Sequence, residues 1–104
     1  MFVRRLTEIA RAIAQPKSVL IFDEPLAGLT PTQHHLVLES IKEVAATGTA
    51  VIIIEHLIPT VAPVCDRMIV LHNGALIADG PSAQVLNDEA VVGAYLGKSI
   101  GSEE

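Results

Sequence analysis

Residues 18–31 are Ser18-Val19-Leu20-Ile21-Phe22-Asp23-Glu24-Pro25-Leu26-Ala27-Gly28-Leu29-Thr30-Pro31, an apolar run, an acidic break and a helix start in fourteen residues. Ser18 to Phe22 ends in an unbroken apolar run, the pattern of a β-strand covered on both faces. Asp23-Glu24-Pro25 stops it abruptly. Thr30 then offers an N-cap hydroxyl, Pro31 a first-turn proline and Gln33 a capping-box partner, so the spacing predicts a helix from Pro31 to about Ala46. Val37, Ile41, Val44 and Ala45 supply its buried stripe, and Gly48 ends it. Thr49 to Ile54 is a second buried strand. Together Ser18 to Ile54 form one strand–helix–strand unit, with parallel strands and a right-handed crossover.

Working outward, Val3, Leu6, Ala10 and Ile13 recur at spacings of three and four, which predicts an amphipathic helix ending before Pro16. On the other side, Pro59 and Pro63 limit Leu57 to Asp66 to a short or distorted helix, because Pro63 has no N–H to give the carbonyl of Pro59. Arg67 to His72 and Ala75 to Asp79 flank Asn73-Gly74, whose residues tolerate the positive φ of a tight hairpin turn. Gly80-Pro81 closes the hairpin. Ser82 to Leu86 and Asp88 to Leu96 read as two short helices, and Gly97 to Glu104 as a frayed tail.

The 104 residues make at most one domain, able to bury roughly two-thirds of its unfolded surface. Half the residues are apolar, which argues against disorder. With 7 Lys plus Arg against 12 Asp plus Glu, the formal charge of −5 lacks the basic footprint of a nucleic-acid binder. The longest aliphatic run, Ala50 to Ile54, is far short of the roughly 20 apolar residues that cross a bilayer. Glu8 and Arg11 interrupt any export-signal core behind Arg4-Arg5, so a cytoplasmic chain is expected. Cys65 stands alone and reads as core filler.

The chemistry gathers at Asp23 and Glu24, at the carboxyl end of a strand, where open α/β sheets place ligands. Adjacent strand residues point opposite ways, so the two acids divide their work: one suits a hydrated Mg²⁺ and the other an attacking water. Alone, such a dipeptide reads more readily as a solvated turn, and Glu55-His56 as an ordinary strand end. His34-His35 diverge around a helix and read as a solvated face. Arg4, Arg5 and Arg11 form a stripe interrupted by Glu8 and are assigned no ligand.

In order, these segments resemble the second half of an ATP-binding-cassette (ABC) ATPase. Val19-Leu20-Ile21-Phe22-Asp23-Glu24-Pro25 resembles the Walker B strand with its catalytic glutamate, and Ala27-Gly28-Leu29-Thr30 lies where the family has its D-loop. His56 falls at the switch-histidine position. Ile9-Ala10-Arg11-Ala12 resembles the helix behind the signature motif, and Asp66-Arg67 to Gly80 the closing strand–turn–strand. The fold implied is α/β: an incomplete P-loop NTPase core, a parallel sheet with helices, then a C-terminal β-hairpin and short helices. Glu55-His56 and Ala94-Tyr95-Leu96-Gly97 are most similar to the subfamily energising uptake of branched-chain or related amino acids.

The resemblance implies that Glu24 orients and deprotonates water, that His56 senses the γ-phosphate and that Asp23 holds Mg²⁺ through water. ATP and Mg²⁺ are the implied cofactors. A second ATPase subunit and transmembrane permease subunits at the cytoplasmic face of the inner membrane are the implied partners. The departures define the rest. No Gly-x-x-x-x-Gly-Lys-Ser/Thr phosphate loop occurs, Met1-Phe2-Val3 stands where the signature would finish, and the Q-loop and adenine-stacking aromatic are missing. Thr30 replaces a common aspartate. Residues 1–104 are therefore expected to be the C-terminal part of one nucleotide-binding domain, inactive alone, with the missing N-terminal half as a further partner. The strand carrying the phosphate loop would lie between the Thr49 to Ile54 and Arg67 to His72 strands. Alternatives are a non-catalytic interaction module that pairs with another ATPase subunit or with that half, and a generic small α/β domain, which leaves the ordered motifs unexplained.

Overall fold

A computed structural model describes residues 2–14 and 18–96, with side chains for 2–11 and 18–95. The chain divides into two compact units, Met1–His56 and Leu57–Glu104. The tail expected to fray lies outside the described residues.

In the first unit, α1 spans Phe2–Ala14, β1 Val19–Asp23, α2 Pro31–Ala46 and β2 Ala50–Ile54. β1 and β2 pair in parallel, from Val19 opposite Ala50 to Asp23 opposite Ile54, as the strand–helix–strand reading requires. Thr30 caps α2 as predicted: its Oγ1 accepts from Gln33 N at 3.3 Å, and Gln33 Oε1 accepts from Thr30 N at 3.0 Å. Gly48 at φ +97° ends the helix, donating to the Ala45 carbonyl at 3.1 Å. The left-handed conformation costs glycine nothing sterically.

Two packing expectations change. The buried face of α2 is Val37, Leu38, Ile41 and Val44, with Ala45 exposed. In α1 the core residue is Ile9, four positions after Arg5 and three after Leu6, while Val3 and Ala10 face out. Ile13 lies outside the described side chains. The aliphatic residues of α1 form two overlapping stripes, and contact with α2 decides between them. The strands also differ from the pattern of cover on both faces. Leu20, Phe22, Val51 and Ile53 are half-buried, whereas Val19, Ile21, Ile52 and Ile54 are exposed on the opposite face. A continuous apolar run fits one covered face as well as two.

In the second unit, α3 spans Ile58–Val61 and passes into a 3₁₀ turn over Ala62–Val64, the break that Pro63 imposes. β3, Arg67–His72, pairs antiparallel with β4, Ala75–Pro81. Asn73 and Gly74 take φ of +50° and +78°, as the tight turn requires. The register shifts between Val70 and Leu71, so Ile77 has no partner across the ladder. α4 is Ser82–Leu86. α5, Glu89–Val91, is capped by Asp88 and continues as a π turn over Val92–Leu96. Ile58, Val70, Val85 and Val91 make the core, with Met68, Ile77, Ala78, Leu86 and Tyr95 packed on it. Ser82 is buried, and its Oγ donates to the Cys65 carbonyl at 2.6 Å.

Candidate functional site

β1 hands its chain to a sharp turn at Glu24. The Glu24 N–H donates to the Ile54 carbonyl at 2.8 Å, so the parallel ladder persists one residue beyond the strand. Glu24 then takes φ +48°, a conformation non-glycine residues rarely adopt and one that clusters at functional sites. Pro25 and Leu26 fold inward and are buried. Ala27 N donates to the Glu24 carbonyl and Leu29 N to the Leu26 carbonyl, both at 3.1 Å. Gly28, at φ +74°, turns the chain toward the Thr30 cap.

The turn brings Glu24 to His56: Glu24 Oε1 lies 3.4 Å from His56 Nδ1, with both side chains more than half exposed. Glu55 Oε1 approaches the same nitrogen at 3.6 Å. His56 Nδ1 is thus faced by two carboxylates, from the ends of β1 and β2. Asp23 is exposed on the open face with Val19 and Ile21, while Glu24, the next residue, sits in the turn at φ +48° and reaches His56. Ala27 is exposed, and its carbonyl accepts from Arg5 Nη2 at 3.4 Å. Arg5, given no ligand from sequence, thus ties α1 to this loop. The Thr30 side chain is engaged in capping.

Glu55 is the residue that the sequence reading passed over. Its side chain is only 1% exposed; Oε2 accepts from Leu26 N at 3.0 Å and Oε1 from His56 N at 3.2 Å. Strand alternation was the available signal, because Val51, Ile53 and Glu55 share the covered face.

Among the described residues no cluster of three or more His, Cys, Asp or Glu is placed to hold a metal ion. Asp23 is exposed at the end of β1, where a lone carboxylate could hold Mg²⁺ only with other ligands, such as waters, completing the shell. His34 and His35 sit in α2, half-buried and exposed respectively. In the second unit, burial first and Asp66 second raise the Cys65 thiol above its usual range, leaving it a poor nucleophile.

A parallel strand–helix–strand unit followed by a hairpin and short helices is here the fold of the C-terminal part of an ABC transporter ATPase core. The chain matches that part in sequence as well. The family described as branched-chain amino acid ATP-binding cassette transporter matches residues 75–100. The chain is 39% identical over 93 residues to the probable branched-chain amino acid transport ATP-binding protein LivG of Archaeoglobus fulgidus, covering 89% of this chain and 36% of that protein. It is 37% identical over 97 residues to the lipopolysaccharide export system ATP-binding protein LptB of Haemophilus influenzae, covering 93% and 40%. A solved ATP-binding cassette of an ABC transporter in its ADP conformation superposes with a TM-score of 0.80 at 34% identity, covering 92% of this chain and 39% of that one. The chain thus spans about two-fifths of the length of these relatives.

Proposed function

We propose that this chain carries the water-activating half of the ATPase site of an ABC transporter subunit that imports branched-chain or related amino acids. The observation that carries the reading is the 3.4 Å approach of Glu24 Oε1 to His56 Nδ1 across the ends of paired parallel strands. In this reading Val19 to Pro25 is the Walker B segment. Glu24, turned out of β1 and more than half exposed, orients the attacking water and takes its proton. His56 keeps Glu24 aimed and senses the γ-phosphate. Asp23 holds Mg²⁺ through water, and the ion supplies charge neutralisation on the phosphates. Ala27, Gly28, Leu29 and Thr30 form the D-loop that meets a second ATPase subunit.

The match of residues 75–100 to the branched-chain family supports the substrate class. Relatives named for lipopolysaccharide and Nod factor export mark the competing assignments. The assembly works at the cytoplasmic face of the inner membrane through permease subunits. The chain alone lacks a lysine-bearing phosphate loop, whose amides and charge stabilise the bound anion, so it turns over no ATP by itself. A second reading, a non-catalytic interaction module that pairs with another ATPase subunit or with a separate phosphate-loop segment, is favoured by the open face of Val19, Ile21, Ile52 and Ile54.

The test is phosphate release from Mg-ATP by this chain alone and by the chain joined to an upstream segment with a phosphate loop and signature. Turnover only in the joined protein is expected. A joined protein that binds Mg-ATP but does not hydrolyse it contradicts the reading.

A further inference from the structure

Burying a carboxylate is unfavourable unless hydrogen bonds replace its lost water. Glu55, 1% exposed, meets that demand with two backbone donors from different segments. Oε2 takes the N–H of Leu26, two residues past Glu24, and Oε1 takes the N–H of His56 itself. Between them runs the Glu24 N–H to Ile54 carbonyl bond. One side chain therefore bridges the turn that aims Glu24 and the backbone that presents His56. The turn needs such a brace, because Glu24 sits at φ +48° and persists there only if its surroundings hold it.

We propose that Glu55 is a positioning residue: its buried carboxylate fixes the spacing of Glu24 and His56 by clamping the Leu26 and His56 amides. The proposal rests on the ATPase reading of that pair for its functional consequence, and on the hydrogen bonds alone for its structural one. Charge strengthens the clamp, since N–H bonds to a carboxylate outrank those to a neutral acceptor. Glutamine retains the length but only one acceptor oxygen, its NH2 being a donor, so it can hold one of the two amides; alanine holds neither.

Two measurements decide it. In this chain, hydrogen exchange read residue by residue by mass spectrometry should show Glu55→Ala speeding exchange at the Leu26 amide at least about tenfold. Glu55→Gln, left with one acceptor oxygen for two amides, should fall between the parent and Ala, and Ile41 in α2 should be unaffected by either change. Unchanged Leu26 exchange in Glu55→Ala, or Gln matching the parent at both the Leu26 and His56 amides, overturns the clamp. In the chain joined to an upstream phosphate-binding segment, Glu55→Ala should lower kcat about tenfold with KM for ATP within about twofold, and Gln should restore part of it. Because part of its effect passes through His56, Glu55→Ala should cost less in a His56→Ala background than in the parent. Equal losses in both backgrounds, or a loss confined to KM, overturn the positioning role. Full turnover in Glu24→Gln instead removes Glu24 as the base, and Leu26 exchange then decides the clamp by itself.

Discussion

Asp79 and Arg67 show how a single contact sets a pH dependence. Arg67 Nε and Nη2 donate to Asp79 Oδ1 and Oδ2, each at 2.8 Å, a two-pronged pair across the β3–β4 ladder. Hydrogen bonding from Arg67, aided by its charge, holds the Asp79 carboxyl below its ordinary 3.8. A carboxylate lowered on folding stabilises the fold above its unfolded pKa and loses that contribution as pH falls through the folded one. The melting-temperature advantage of the parent over Asp79→Asn should therefore be constant above the ordinary carboxylate range and shrink progressively as the pH falls below it. An advantage that grows on acidification contradicts the sign. At this scale the sequence was partly legible. Asp23 and Glu24 stand out by residue type at a strand end, whereas His56 is marked only by the family resemblance and by its residues alone is an ordinary strand end. The burial of Glu55 is written in the alternation of Val51, Ile53 and Glu55. The link from Arg5 to the Ala27 carbonyl had no local signal, since it joins residues 22 positions apart.

Capped elements were the most legible. Thr30, Pro31 and Gln33 specify the start of α2 through short-range chemistry, and Gly48 specifies its end, so both boundaries follow from sequence. Thr30→Ala removes the acceptor for Gln33 N and should destabilise the chain by about 1 kcal/mol, seen as a lower urea midpoint with an unchanged slope. A midpoint equal to that of the parent would mean that the cap contributes nothing. The Asn73-Gly74 turn was equally plain, for the same local reason. What escaped depends on tertiary contact. The stripe of α1 that turns inward is chosen by α2, and the uncovered face of β1 and β2 by what does not pack there. Neither the shift at Val70/Leu71 nor the π turn over Val92–Leu96 has a sequence mark.

At the scale of the molecule, β1–β2 and β3–β4 are two separate two-stranded sheets. Such pairs keep unpaired amides and carbonyls along their edges, a setting for edge-to-edge association. The exposed Val19, Ile21, Ile52 and Ile54 add a contiguous aliphatic face, and soluble monomers seldom show more than a few hundred Å² of such surface. Light scattering across a concentration series should find the chain alone dimeric or aggregating; a monodisperse monomer with a sharp melt contradicts this. The central claim is that Glu24 is the base, and hydrolysis by the chain joined to an upstream phosphate-binding segment tests it most directly. Glu24→Gln keeps the shape and loses the proton-accepting charge, so Mg-ATP should bind as in the parent while steady-state phosphate release vanishes; near-normal release from Glu24→Gln would contradict the account.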